Sequence, residues 1–348
     1  MNTGLKKLNF REKNFNISLA LLRMYLSFLV INGHFFNPSK SNIKNKYIIK
    51  LLKNRIAVPT FFIMSFYFSY KLISSKDIKK IKKRFERLLI PYFIWPIIIW
   101  ILNNIFNFCF GTKFQISIND LIIQLLTGHN FLAVLWFQLN LILSTFLMII
   151  IEILFCNNRT FILIFLIIIA YFLQYSNLNN LFFLKYSFYI KYPFGRFIEI
   201  MPHCIAGYIL ALFNLIEFLK KNILKNICLL SLIMILFIKY NILNTPKGFM
   251  YQGISLHISS LFLFTIFAIM PSEKITNIYH IKIIKSFTNY SSGVYYLHFP
   301  IRVYIEIFFI LIKYNSLYIC IILYIICYFL SFFGIIVFGK TKLRHLFQ

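Results

Sequence analysis

Two ionisable residues stand eleven positions apart inside the first long apolar segment. Arg23 and His34 enclose the sequence Met-Tyr-Leu-Ser-Phe-Leu-Val-Ile-Asn-Gly. In a helix, steps of about 100° bring position 34 back to within roughly 20° of position 23, so the two side chains would share one face about 16 Å apart along the axis. Ionisable groups at membrane depth are costly and usually functional. His34 could be a general base toward a hydroxyl, and Arg23 could hold a phosphate or polarise a carbonyl oxygen. A structural histidine and a snorkelling arginine are the alternatives.

A basic segment leads into the third apolar run. Residues 78–87 read Ile-Lys-Lys-Ile-Lys-Lys-Arg-Phe-Glu-Arg. On a helix, Arg84 and Arg87 would be neighbours one turn apart, and guanidinium groups suit phosphate through paired hydrogen bonds. We interpret the arginine pair as a phosphate ligand and the lysines as a cytoplasmic anchor that also touches anionic lipid.

Further polar residues fall within later apolar runs. Arg196, Glu199 and His203 have near-helical spacing, and this group could bind a sugar hydroxyl or be a structural ion pair. His298 ends the sequence Gly-Val-Tyr-Tyr-Leu-His and precedes a proline that can kink a span. His129 and His257 lie near segment ends and receive no role. The six cysteines are scattered and have no metal-ligand spacing, so no metal site is predicted.

The composition is that of a polytopic membrane protein. The chain is 60% hydrophobic and 20% aromatic, with a mean hydropathy of +0.76. Several runs approach the twenty or so apolar residues that cross a bilayer. The formal charge of +28 could indicate nucleic acid, but lysines and arginines lie mostly between the apolar runs. We therefore expect a lipid bilayer around the protein and no nucleic-acid partner.

We predict an all-α transmembrane bundle of about ten spans that forms one domain over residues 1–348. Residues 1–16 and 339–348 would be cytoplasmic tails, because the segments on that side then carry more lysine and arginine. Residues 37–55 break this rule and could be either an amphipathic helix on the membrane or a solvated loop. The predicted spans are 17–36, 56–73, 88–108, 133–155, 161–175, 196–213, 224–243, 254–271, 287–312 and 317–338.

Four blocks in order resemble the acyltransferase 3 family of integral membrane O-acyltransferases. They are Arg23 with His34, the run Arg84-Phe85-Glu86-Arg87-Leu88-Leu89-Ile90-Pro91-Tyr92, the run Leu135-Trp136-Phe137, and the run Gly293-Val294-Tyr295-Tyr296-Leu297-His298-Phe299-Pro300. Together they extend from the first predicted span to the ninth. The larger members of the family append a soluble esterase-like domain, whereas no polar stretch of that size occurs in this chain.

The resemblance implies transfer of an acyl group, usually acetyl, from cytoplasmic acyl-CoA to a glycan or lipid-linked saccharide outside. No permanently bound cofactor is implied. His34 would be the essential histidine and Arg23 its partner, while Arg84 and Arg87 would bind the coenzyme phosphates. The resemblance also places Trp136, Tyr295 and His298 at the pocket, to which we add Arg196 and Glu199.

Other functional classes fit less well. The sequence has no Walker-type loop, no Gly-x-Gly-x-x-Gly and no Gly-x-Ser-x-Gly elbow, which argues against ATP-driven transport, a Rossmann cofactor and a serine hydrolase. The main alternative is a polysaccharide or lipid-linked glycan flippase that uses the same basic segments for headgroup phosphates. The abundance of Ile, Lys, Asn and Phe is typical of proteins encoded by AT-rich bacterial genomes, and from it we expect a bacterial inner or plasma membrane.

Overall fold

The computed structural model describes most of the chain up to residue 271. The described residues are 16–35, 56–110, 116–132, 134–175, 188–243 and 253–271, with 284, 288, 298, 301, 325–331, 333 and 334 nearer the C-terminal end. The side chains of 31–35 and 188–192 lie outside the description, as do both termini, the segment 37–55 and most of the last two predicted spans. Helices and turns make up the described part, in which no strand occurs, so the predicted all-α class is confirmed.

Ten helices follow one another within the described residues up to 271. They are α1 (Ile17–Phe35), α2 (Ala57–Ser74), α3 (Ile78–Phe110), α4 (Ile118–Thr127), α5 (Leu135–Leu154), α6 (Arg159–Tyr175), α7 (Phe188–Leu212), α8 (Leu215–Lys220), α9 (Ile223–Leu243) and α10 (Ile254–Ile269). Each predicted span before residue 272 overlaps one of these helices, although α3 and α7 begin ten and eight residues before the predicted spans. Helices α4 and α8 were not predicted.

The third helix begins ten residues earlier than predicted. Lys76 adopts a left-handed backbone conformation with φ of 53°, which turns the chain sharply after α2. The Asp77 carboxylate then accepts hydrogen bonds from the backbone N–H groups of Lys79 and Lys80, at 3.0 and 3.2 Å. An acidic cap of this kind satisfies the free donors of a first turn. The basic segment therefore continues directly into the apolar part of α3 instead of forming a loop.

Two described helices are long and apolar enough to cross a membrane. They are α3, over Ile78–Cys109, and α5. Shorter apolar helices pack beside them, and α6 shows which way they face. On α6, Phe161, Phe165 and Phe172 are exposed, while Leu163 and Ala170 on the opposite side are fully buried. An apolar outer face is what contact with lipid chains requires.

The core of the bundle is the crossing of α2 and α7. A Cβ atom on Gly207 would lie 2.1 Å from the backbone oxygen of Ile63, so only glycine allows the two backbones to approach this closely. Phe62, Phe66 and Tyr208 fill the space around the crossing and are almost fully buried. Helices α5, α6 and α10 pack against this pair, and α10 also packs against α1.

Candidate active site

A stripe of polar residues runs along α5. Gln138, Thr145 and Glu152 recur every seven residues, so they lie on nearly the same face of the helix. All three are buried, at 0%, 0% and 2% relative exposure. Buried polar groups in an apolar bundle need partners, and each member of the stripe contacts a different part of the protein. The start of α3 and the α5–α6 turn lie at one end of the bundle, which we name the basic end. We name the opposite end the aromatic end.

Arg84 occupies the middle of the stripe. Its Nε donates to the hydroxyl of Thr145 and its Nη2 to the hydroxyl of Ser65, both at 3.2 Å. The guanidinium carbon lies 5.7 Å from the centroid of the Phe66 ring. Ser65 and Thr145 are near the midpoints of α2 and α5, so this charge reaches the centre of the bundle. Arg87, one turn further on, remains exposed.

Gln138 holds α5 against the bend region of α3. Its amide nitrogen donates to the backbone oxygen of Leu88. Pro91 follows three residues later inside α3 and disturbs the hydrogen bonds of the preceding turn. The side chain of Gln138 therefore adds a hydrogen bond to a stretch of α3 in which Pro91 removes one from the helix.

Glu152 closes the stripe at the basic end. Its carboxylate accepts from Arg159 at 2.7 Å and from the Tyr208 hydroxyl at 2.8 Å. Tyr70 lies edge-on to Tyr208, with ring centroids 5.1 Å apart. The Glu152 side chain is buried where the ends of four helices meet. Its partners neutralise the charge and join the ends of α2, α5, α6 and α7.

Three of the predicted substrate-binding residues come together at the aromatic end. Arg196 forms a buried ion pair with Glu199, at 2.7 Å, and its guanidinium carbon lies 5.5 Å from the centroid of the Trp136 ring. The sequence left two readings of this group open. The ion pair exists, and its guanidinium packs over Trp136 in the first turn of α5.

A proline bend shapes α7 just beyond this ion pair. Pro202 lies inside the helix and has no N–H, so the backbone oxygen of Ile198 lacks its usual donor four residues on. The amide nitrogen of Gln174, on α6, donates to that oxygen at 3.0 Å. The side chain of one helix thus replaces the missing hydrogen bond of another, one turn before His203.

A pair of imidazoles extends the group. The rings of His203 on α7 and His257 on α10 are stacked with centroids 4.7 Å apart and planes 30° apart. Tyr171 lies edge-on to His257, at 6.0 Å. His257 is a residue that the sequence analysis passed over, because its spacing on α10 indicates no partner. The available signal was its position in the first turn of a helix at the predicted outer side of the membrane.

Helix α4 and the turn after it, over residues 117–132, cover the aromatic end, and we name this segment the α4 hairpin. Ser117 and Asp120 form a capping box that starts α4, and Gly128 ends the helix in a left-handed conformation with φ of 67°. The Asn130 side chain donates to the Asp120 carboxylate at 3.0 Å. The hydrogen bond from Ser117, helped by Asn130, lowers the pKa of the Asp120 carboxyl below its ordinary value. A Cβ on Gly128 would lie 2.9 Å from the Cα of Trp136, so the hairpin seats closely on the start of α5.

The remaining predicted site residues are placed only in part. Arg23 lies on α1 and is partly exposed. His34 belongs to the last turn of the same helix, but its side chain is outside the described residues, as is Tyr295. His298 is helical and fully buried, and its backbone oxygen accepts from the Cys327 thiol at 3.3 Å. Within the described part of the chain, no three His, Cys, Asp or Glu side chains are grouped to hold a metal ion.

The arrangement offers three chemical environments in sequence. Exposed cationic groups lie at the basic end, a guanidinium with hydroxyl neighbours lies at mid-height, and aromatic rings with an ion pair lie at the aromatic end. Positive charge suits a phosphorylated ligand, while flat rings beside hydrogen-bonding groups suit a polyhydroxylated one. The polar stripe of α5 extends between the basic end and the aromatic end.

Comparison with known families identifies one match. The family model Acyl_transf_3, described as an acyltransferase domain, matches residues 16–340. No curated protein and no solved structure matches the chain. The matched range includes all ten helices given above.

Proposed function

The chain belongs to the acyltransferase 3 family of membrane acyltransferases, and from this premise we propose that it is an O-acetyltransferase of cell-envelope glycans. Acyl-CoA would be the donor at the basic end, and a hydroxyl of a glycan or lipid-linked saccharide would be the acceptor at the aromatic end. The observation that carries the proposal is the buried polar stripe Gln138, Thr145 and Glu152, which extends along α5 from the aromatic end of the bundle to the basic end.

The basic end supports an acyl-CoA site. The exposed cationic side chains at the start of α3 are Lys79, Lys80, Lys82, Lys83 and Arg87, of which Lys80 pairs with Asp77, and coenzyme A carries several phosphate charges. Arg84 points away from them to the midpoint of the bundle. We therefore assign the phosphates to the exposed lysines and Arg87, and assign Arg84, which points into the bundle, to the acyl end of the donor, where a guanidinium can stabilise the thioester oxygen.

The proposed reaction needs no resident cofactor. His34 takes the proton of the acceptor hydroxyl, whose oxygen forms the new bond to the acyl carbon. The carbon–sulfur bond of the thioester breaks, and the coenzyme leaves as a thiol after taking up a proton. Arg23, about 16 Å nearer the basic end on the same helix, holds a phosphate or the polar arm of the donor and so directs the acyl group toward His34. These two roles rest on the resemblance of the Arg23/His34 block to the family.

The proposed setting is a bacterial inner or plasma membrane, with ten spans and both termini in the cytoplasm. In this topology the basic end faces the cytoplasm, where acyl-CoA is made, and the aromatic end faces outward. The polar stripe then crosses the membrane between donor and acceptor.

A transfer assay in inside-out vesicles tests the proposal. Acetyl-CoA labelled in the acetyl group is added outside, and label in endogenous glycan is counted for wild type, His34→Ala and Lys225→Ala. Lys225→Ala is the control, because it removes an exposed charge on α9 away from α3. We expect transfer by wild type and Lys225→Ala and none by His34→Ala.

Two outcomes would overturn it. Retained transfer by His34→Ala would remove the proposed base. Absence of transfer by wild type, combined with loss of glycan export in a strain lacking the protein, would favour the flippase.

A further inference from the structure

His257 brings α10 into the aromatic end of the bundle. Its ring is held between the stacked ring of His203 on α7 and the edge of Tyr171 on α6. Nearby, the hydroxyl of Tyr175 accepts a hydrogen bond from the backbone N–H of Ile254 at 3.2 Å. Side chains from two other helices therefore fix the position of this imidazole.

One nitrogen of this ring is left over. The Nδ1 atom of His257 is buried and has no hydrogen-bond partner among the described residues. Ring stacking satisfies the faces of an imidazole but not its nitrogens. A buried polar atom without a partner costs free energy and requires an explanation, of which an absent ligand group is one.

The surroundings of the pair define the ligand's chemistry. His203 lies one turn beyond Glu199 on α7, so the imidazole pair and the Arg196–Glu199 ion pair face the same region. Trp136 presents its ring to the guanidinium of Arg196. Imidazole, carboxylate and guanidinium groups bind hydroxyls, and flat rings bind the apolar faces of sugars. A polyhydroxylated ring meets these requirements, whereas an apolar ligand does not.

We propose that His203 and His257 form the hydroxyl-binding subsite of the acceptor, with Nδ1 of His257 as the atom that bonds the sugar. This inference rests on the proposed acyl transfer to a glycan and adds the residues that position the acceptor. The proton of the reaction is not assigned to this pair. His257 is therefore a positioning residue for the acceptor, and His34 keeps the chemical role.

Two substitutions at position 257 separate hydrogen bonding from packing. His257→Phe keeps a flat ring that can stack on His203 but removes both nitrogens. His257→Asn removes the stacking ring but places an amide near the position of Nδ1. If the residue binds a hydroxyl, the asparagine variant keeps function better than the phenylalanine variant. If it only packs, the order is reversed.

Methyl α-D-glucoside serves as a soluble acceptor probe in two measurements on the full-length protein. The first is the KM for the probe in acetyl transfer, with the KM for acetyl-CoA measured alongside. The second is quenching of tryptophan fluorescence by the probe without acetyl-CoA, with Trp136→Phe showing which part of the signal comes from Trp136.

We expect His257→Phe to raise the probe KM about three- to tenfold, the effect of losing one or two neutral hydrogen bonds, and to leave the acetyl-CoA KM unchanged. His257→Asn should recover most of this loss. A probe KM in His257→Phe equal to that of wild type would overturn the inference. A probe KM in His257→Asn higher than that in His257→Phe would overturn it as well.

The two proposals fail in different ways. In one case, the wild-type protein transfers no acetyl group, the probe still quenches its fluorescence, and His257→Phe loses this quenching. That result would support the sugar subsite and refute the O-acetyltransferase. Acetyl transfer with normal probe KM in His257→Phe would do the opposite.

Discussion

The side chain of Gln174 donates to the backbone oxygen of Ile198, the oxygen that Pro202 leaves without a helical donor. This bond links α6 to the bend of α7 at the point where α7 presents its ion pair and His203. The amide of Gln174 therefore supports the bend of α7 at the aromatic end.

Replacing Gln174 by methionine should destabilise the protein by about 1–3 kcal/mol, because a carbonyl without its helical donor then loses the side-chain donor that replaces it. The measurement is thermal unfolding in detergent. The matched control is the same substitution in a Pro202→Ala background, where residue 202 regains its N–H. The cost of Gln174→Met should fall clearly in that background. An equal cost in both would mean that the amide contributes by packing alone.

Gly207→Ala should disrupt the crossing of α2 and α7. The added methyl group would lie 2.1 Å from the backbone oxygen of Ile63, which cannot rotate away as a side chain could. We expect a loss of at least about 1–3 kcal/mol, the usual cost of overpacking, and a lower yield of folded protein. Ala206→Gly, one position earlier, is the control and should cost only about 1 kcal/mol. Comparable unfolding temperatures for the two variants would contradict the close approach.

The two arginines of α3 should have separable effects on catalysis. Arg87→Ala removes an exposed charge and should raise the KM for acetyl-CoA, with an effect that shrinks at high salt. Arg84→Ala removes a charge at mid-height and should lower kcat by about tenfold or more while changing KM less. Initial rates over a range of acetyl-CoA concentrations distinguish the two. If both variants changed only KM, Arg84 would belong with the phosphate ligands.

The α4 hairpin should loosen in acid. The pKa of Asp120 is lowered in the folded protein by its hydrogen bonds with Ser117 and Asn130. The contribution of these bonds is therefore complete above the ordinary aspartate pKa of about 3.9 and is lost as the pH falls through the lower, folded value. The protection factors of the amides of residues 128–132, which compare their exchange rates with those of unstructured amides at the same pH, should fall in that range in wild type. Asp120→Ala should exchange fast at every pH, and identical profiles for the two proteins would exclude the mechanism.

Much of the helix order was predictable because apolar runs of span length leave few alternatives. The sequence also indicated the Arg196–Glu199 pair, whose spacing is local. It did not indicate α4, which is too short to register as a span but has a clear capping box at Ser117. The stacking of His203 on His257 and the bonds from Arg84 to Ser65 and Thr145 join residues far apart in the chain. They are set by helix packing, which no local pattern encodes.

The seven-residue spacing of the polar stripe fixes the register of α5 through three separate contacts. Gln138, Thr145 and Glu152 engage a backbone oxygen, a guanidinium and a tyrosine hydroxyl at three depths. Turning or sliding α5 would break all three contacts together, so its register is fixed. The middle contact is different from the other two, because Arg84 and Thr145 can each exchange it for a ligand while the outer contacts hold the helix in place. A ligand that took over the hydrogen bonds of Arg84 and Thr145 would leave the two outer contacts, and with them the register of α5, intact.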